Sequence, residues 1–265
     1  EQTKQLRKLM LCGQMIQSHS LHLYLLVLPD FVGVNSSFEL QKNHPDLFKN
    51  AINLKQYADS IIEIIGGRAV HPITNVVGGF KKFPEINRLK KLLIESENIL
   101  KIAQKTVSLF NSFKYPIVEH KLIYSALSSE KDYAYYDGKI KTTSGINFEA
   151  NNYKRYIFEE LKPYTRAKFG TLRGKTMLVG ASSRINLNKK FLGKETHELM
   201  LEAGIKKYFN NPFDNIIAQA IENYFFVVES QNLLKYFIKE GIDTKEPIKT
   251  ISVFKSGTSA CEAPR

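Results

Sequence analysis

The sequence predicts a helix-dominated α+β fold with long central helices and a small peripheral β-sheet, formed as a single domain over residues 1–265. Three observations lead there. Apolar residues recur every three or four positions over several long stretches; β-prone sequence is concentrated in the middle of the chain; and no repeat, low-complexity tract or linker interrupts the whole.

From Lys4 to Leu28 the apolar positions Leu6, Met10, Ile16, Leu23 and Val27 mark a helix, which Pro29-Asp30 is expected to close. A second stripe, Leu47, Ala51, Leu54, Ala58, Ile61 and Ile65, runs into Gly66-Gly67, a left-handed C-cap. Arg68 to Phe80 has neither period and is bracketed by Gly78-Gly79, so it reads as a loop built for close backbone approach. The longest stripe, Ile86, Leu89, Leu93, Leu100, Ala103, Val107 and Phe110, predicts a helix of about seven turns with polar Ser96 in one slot.

Between Tyr115 and Gly145 the pattern turns β-prone. Tyr133–Tyr136 and Lys139–Thr143 flank Asp137-Gly138 and predict a tight hairpin. Residues 151–161 read as a short helix, and Met177-Leu178-Val179 as the start of a strand before a Gly-Ala-Ser-Ser turn. A modest helix is expected over residues 196–208. Asn211-Pro212 then opens a second long helix, apolar most of the way round and closed by Gly241. A last β-prone stretch spans Ile248 to Phe254.

The chain carries 38 Lys and Arg against 26 Asp and Glu, a net charge of +12, which raises the question of an acidic partner. The cations are spread over every segment and no nucleic-acid-binding motif accompanies them, so nucleic acid is not the expected partner. Two cysteines, Cys12 and Cys261, cannot build a disulfide framework or a four-thiolate cage, which points to a reducing compartment. The apolar run Leu21–Leu28 is far shorter than the roughly 18 residues of a spanning helix. A soluble, cytoplasmic protein without a membrane anchor is expected. The absence of an initiator Met suggests a piece of a longer chain.

Four constellations could carry chemistry. His19 and His22 share a helix face, but no third or fourth ligand pattern lies near them; core histidines donating to a carbonyl or carboxylate are favoured over a metal site. Arg68 and His71 sit on the glycine-bracketed, Pro72-stiffened loop, where presentation of donors to an anion or cluster stands level with a plain buried turn. Glu262-Ala263-Pro264-Arg265 offers an arginine fixed by a proline, or simply a surface arginine. Lys168 and Arg184 read as structural ion-pair donors, and both cysteines as structural thiols.

In combination these residues are more specific. Gln17-Ser18-His19-Ser20-Leu21-His22 with Leu28-Pro29-Asp30, Gly67–Pro72 with Gly78-Gly79-Phe80, Lys168, Val179-Gly180-Ala181 with Arg184–Asn188, Asn211–Asn215 with Ala218-Gln219-Ala220-Ile221-Glu222, and Glu262–Arg265 resemble, in order and spacing, the large subunit of nickel-iron hydrogenases. The nearest branch is the cytoplasmic, bidirectional, NADP-linked one, also called sulfhydrogenases.

The resemblance implies a nickel-iron centre with diatomic ligands, held by two Cys-x-x-Cys pairs that both fall outside this stretch; no metal ligand is expected within it. It implies reversible heterolytic cleavage of dihydrogen, with electrons passing through iron-sulfur clusters on a small subunit to NADP on diaphorase-type subunits, and an isolated piece that is inactive. It assigns Arg265 to the open face of the nickel, Pro264 and Glu262 to the surroundings of the metals, His19 and His22 to support of the site, and Arg68 and His71 to the loop facing the small subunit's cluster. One departure stands out: Ala181-Ser182-Ser183-Arg184 replaces the family's usual Ala-Leu-Ala-Arg, which bears on local packing. The alternatives are a nickel-free, quinone-reactive relative of the respiratory complex I type, in which Lys typically replaces Arg265, and a degenerate structural subunit.

Overall fold

The computed structural model describes residues 1–118, 120–205 and 208–248. In chain order these form helices α1 (Gln2–Leu21), α2 (Leu28–Val32), α3 (Ser37–Asn43) and α4 (Pro45–Gly66), the short strands β1 (Asn75–Val76) and β2 (Gly79–Phe80), and helix α5 (Ile86–Asn111). Strands β3 (Ile123–Ser128), β4 (Lys139–Thr142), β5 (Ile157–Leu161), β6 (Lys168–Leu172) and β7 (Lys175–Leu178) follow, then helices α6 (Ala181–Asn188), α7 (Lys194–Glu202) and α8 (Asp214–Glu240). The chain divides into two compact units, Glu1–Phe113 with residues 219–248, and Lys114–Ala218.

In the first unit the long apolar stripes do what their period demands. Leu6, Leu9 and Ile16 of α1, Leu54 and Ile61 of α4, and Leu89, Val107 and Phe110 of α5 are all fully buried, as are Phe226, Leu234 and Phe237 of α8. Each such side chain contributes roughly 1.5–3 kcal/mol of burial. Helix α1 lies against α4. The approach is closest at Gly13, where a Cβ would stand 2.9 Å from Ile62 Cγ1 and 3.0 Å from the Ala58 carbonyl oxygen. After the last helix, residues near 243–246 return to the start of α1: Gln2 Nε2 donates to Asp243 O (3.0 Å) and to Glu246 Oε2 (2.8 Å), and Asp243 N donates to Gln2 Oε1 (2.7 Å).

The first helix does not stop at Pro29-Asp30. His22–Val27 form wide π turns, and the helical path continues through α2 to Val32, ending at Gly33 with φ +71°. Pro29 stands in the first turn of α2, directly after the wide turns, where the hydrogen-bond ladder is already offset from the regular α pattern. The C-cap at Gly67 (φ +80°) and the span of α5 match the sequence expectation.

Tyr24 ties the π segment to α5. Because Thr106 Oγ1 donates its one proton to Ile102 O (2.8 Å), the Tyr24 hydroxyl is the donor in its 2.7 Å bond to Thr106, and its ring meets Phe110 edge-on at 5.8 Å. Burial pushes the phenol up to about 12. The unfolded chain loses this proton near pH 10 and the folded chain only near 12, so stability falls as pH rises through that window, by about 3 kcal/mol for this group. Urea titrations at pH 9 and above 11 should show the loss, and Tyr24→Phe should make it shallower. An equally steep loss in the variant would assign it to other groups.

The second unit is built on a five-stranded sheet in the order β4-β3-β7-β6-β5, with β3 antiparallel to β4 and parallel to β7. The expected tight hairpin is not present as drawn. Lys139–Thr142 pairs with Ile123–Ser128, while Tyr133, Ala134 and Tyr135 are buried outside any strand. The long-range pairing wins because Tyr124, Ala126 and Leu127 bury both faces of β3, which then needs a neighbour on each side. Asp137-Gly138 still turns: Gly138 has φ +155°, and a Cβ there would stand 2.7 Å from the Ser128 carbonyl oxygen.

Residues 151–161 are not one helix. Ala150–Arg155 is a 3₁₀ turn and Ile157–Leu161 is β5, where alternating Ile157, Glu159 and Leu161 oppose Leu172, Gly170 and Lys168. The predicted helix over 196–208 is the shorter α7, and the Gly-Ala-Ser-Ser stretch opens α6 instead of making a turn. Of the expected last strand only Ile248 lies among the described residues.

Candidate functional site

Helix α8 has apolar residues on most sides, yet Gln219, Glu222, Asn223 and Ser230 are buried within it. The first three, at i, i+3 and i+4, share a face. Opposite lie Ser20, His19 and His22, the last at the start of the π turns. His19 Nε2 is 2.7 Å from Glu222 Oε2, with both side chains fully buried. A carboxylate only accepts, so His19 Nε2 is the donor. His22 Nδ1 stands 2.6 Å from Gln219 Oε1, and by the same logic carries the proton. Asn223 Nδ2 donates to Ser20 Oγ at 3.3 Å, and Asn223 Oδ1 is buried without a hydrogen-bond partner among the described residues. The seam continues at Ser230, which accepts from Tyr57 OH (2.9 Å) because its own proton goes to Val227 O.

Among the described residues no group of three or more His, Cys, Asp or Glu is placed to hold a metal. Cys12 is buried on α1. The described side chains therefore do not fit a thiolate-held nickel-iron centre. What the seam does is fix imidazole tautomers and lock α1 to α8 by complementary donors and acceptors.

The loop after α4 has a pinned base and an exposed crest. Gly66 O accepts from both Ile73 N (2.8 Å) and Thr74 N (3.1 Å), and the Arg7 guanidinium donates to Val76 O (2.9 Å). On the crest Arg68 and His71 are exposed, His71 with φ +54°, beside Val70, Ile73 and Val77 at 60%, 52% and 83% exposure. A guanidinium and an imidazole next to bare apolar side chains suit a macromolecular surface better than a solvated turn.

In the second unit Arg184 is fully buried on α6, and Lys168 is exposed in an ion pair with Glu159 at 3.1 Å. The Ser182-Ser183 departure is accommodated unequally. Ser183 Oγ donates to Leu178 O (2.7 Å), whereas Ser182 Oγ is buried without a hydrogen-bond partner among the described residues, its backbone N–H donating to Asn215 Oδ1 (3.0 Å). Asn186 clamps the chain at Phe209, donating to its carbonyl (2.8 Å) and accepting from its N–H (3.0 Å). Asn186→Ala should cost about 1–2 kcal/mol in urea unfolding, one neutral hydrogen bond's worth or somewhat more; no change would mean water replaces both bonds.

The structure thus brings His19 and His22 to Gln219 and Glu222, and places Arg68 and His71 together on the loop crest. Glu262, Pro264 and Arg265 lie outside the described residues. Glu222 and Gln219 were not singled out by residue type. The signal that could have found them is a set of polar residues at helical spacing inside an otherwise apolar helix.

No protein-family model matches the chain. It is 34% identical, over its whole length, to the sulfhydrogenase 1 alpha subunit of Pyrococcus furiosus, and 31% identical over 92% of its length to the sulfhydrogenase 2 alpha subunit of that organism. It spans 62% and 57% of those two relatives. Its fold superposes along its full length on a chain from a crystal structure of an NAD+-reducing [NiFe]-hydrogenase in the H2-reduced state, with a TM-score of 0.78 at 20% identity, covering 62% of that chain.

Proposed function

With hydrogenase alpha subunits as its homologues along the full chain, we propose that this polypeptide is part of the catalytic large subunit of a nickel-iron hydrogenase, which cleaves dihydrogen heterolytically and reversibly. The carrying observation is that similarity, together with a fold like that of the NAD+-reducing [NiFe]-hydrogenase chain. Supporting it, two of the motifs that resemble the family, His19/His22 and Gln219/Glu222, meet in one buried seam although about two hundred residues separate them.

In this reading the metals are held by two Cys-x-x-Cys pairs outside residues 1–265, and residues 1–265 alone are inactive. As the resemblance implies, Arg265 serves the nickel, and Pro264 and Glu262 belong to the surroundings of the metals. The seam of His19 and His22 supports the site, and the crest carrying Arg68 and His71 faces a small subunit bearing iron-sulfur clusters. Diaphorase-type subunits pass the electrons to NADP, in the cytoplasm.

The test is nickel analysis and dihydrogen-dependent dye reduction in the complex purified with the full-length chain. Nickel with activity is expected; a metal-free, inactive complex would overturn the reading in favour of a nickel-free relative. Adding NADP and following its reduction tests the acceptor separately. Arg68→Ala with His71→Ala should slow electron delivery to the acceptor while leaving nickel content unchanged.

A further inference from the structure

Among the described residues, nothing covers the outer ribbon of the second unit's sheet, β5 with β6. Phe158 and Phe169 lie on one face of it, with Glu160 opposite Phe169 in register, and Tyr164 in the connecting turn packs edge-on against Phe169 at 6.2 Å. Leu161 points to the other face. Exposure is 53% for Phe158, 66% for Leu161, 78% for Tyr164 and 42% for Phe169. Strand β5 is also last in the sheet order, so among the described residues no strand pairs with its outer row of backbone N–H and C=O groups. Natural edge strands are normally blunted by charged side chains, proline, bulges or a covering element; on β5 the charges, Glu159 and Glu160, are already paired with Lys168 and Lys162, and the aromatic edge they leave invites pairing.

The charge on this ribbon is one-sided. From Arg155 to Lys175 there are six cations and two carboxylates. Glu160 and Glu159 are engaged by Lys162 and Lys168. Arg173 lies over the Tyr156 ring at 4.9 Å. Arg155, Arg166 and Lys175 are exposed and have no carboxylate partner among the described residues.

We propose that the β5–β6 ribbon is a docking edge for an acidic polypeptide strand from another protein. Three features select that occupant. The open backbone ladder can be completed by a peptide strand, and not by lipid or by nucleic-acid bases. The surplus of cations calls for Asp and Glu on the partner, which disfavours a second copy of a chain whose own net charge is +12. Phe158, Tyr164 and Phe169 supply the rigid aromatic anchors that carry binding energy at protein interfaces. The proposal stands on the ribbon alone and does not require the hydrogenase reading.

The test uses the full-length chain in its purified native complex, with benzoyl-phenylalanine in place of Phe158 or Tyr164, irradiation and peptide mass spectrometry. Adducts on an Asp- and Glu-rich segment of a different polypeptide are expected. Arg155→Glu with Arg166→Glu should reduce those adducts about tenfold at low salt, with a smaller difference at high salt where the wild-type contact is itself screened. Thermal melting of the charge-reversed chain checks that it still folds; the exposed sites predict an unchanged midpoint. Adducts confined to the chain's own residues, to a second copy, to RNA or to lipid would overturn the proposal, as would no adduct at either position. Because the readout is a cross-link, it is independent of nickel and dihydrogen activity.

Discussion

Glu222→Leu is expected to destabilise the protein by about 3–5 kcal/mol, read as a lower urea midpoint with an unchanged slope. The side chain it removes holds His19 at 2.7 Å in a place where neither partner reaches water. Taking away one member of a fully buried pair leaves the other desolvated without its 2.7 Å partner, and that is the costly half of the exchange. Converting both residues, His19→Leu with Glu222→Leu, removes the desolvated imidazole as well, so the double variant should recover most of the loss and the cycle should show a coupling of 1 kcal/mol or more. Glu222→Gln keeps an acceptor and should fall between wild type and Leu. If Glu222→Leu costs less than about 1 kcal/mol, the seam is not what fixes α1 against α8.

Gly13→Val should cost about 3 kcal/mol, against the direction of helix propensity. Exchanging a mid-helix glycine for a side chain ordinarily stabilises a helix by a few tenths of a kcal/mol or more. Here the added Cβ meets Ile62 Cγ1 at 2.9 Å and the backbone oxygen of Ala58 at 3.0 Å. Cγ1 sits beside the branch point of a χ1-restricted isoleucine and the carbonyl is fixed in the α4 ladder, so neither can turn aside and the two helices must separate along the buried contact. Gly13→Ala should show the same sign at smaller size. A stabilised alanine variant in thermal unfolding would mean that the helices have room to part.

The long helices were legible because each is specified locally. The stripe from Leu47 to Ile65 and the Gly66-Gly67 cap state their own boundaries, and so does the run from Ile86 to Phe110. The sheet was less legible because its pairings are not local. Strand β3 meets β7 across some fifty residues, and Tyr133–Tyr136, rich in β-formers, serves as buried filling instead. Pro29 misled for a different reason: what proline does to a helix depends on whether the ladder above it is regular, and the wide turns before it changed that.

At the candidate site the sequence pointed to the imidazoles of His19 and His22 and to carbonyl or carboxylate acceptors for them. It could not say which. Glu222 sits on a helix apolar on nearly every side, and a lone carboxylate there reads as solvent-facing until a residue 203 positions away is placed beside it. Arg68 and His71 were legible through their glycine brackets, since a loop that carries charges between two glycine pairs has few purely structural uses.

The π turns at His22–Val27 make the N-terminal rod a phase shifter. Up to their first residue the chain addresses α8, through His19 and His22; beyond it the chain addresses α5 and its end through Tyr24 and Phe31, the latter stacked on Phe113 at 4.9 Å. A regular helix advances about 100° per residue, so the single surplus residue held in such a turn resets which way everything downstream faces. Closing the wide turns to regular ones at constant length would swing Phe31 about a quarter turn away from Phe113, whereas deleting the surplus residue would let a regular helix keep Phe31 in place. The direction in which everything downstream faces is thus set by the wide turns themselves, whatever side chains follow them.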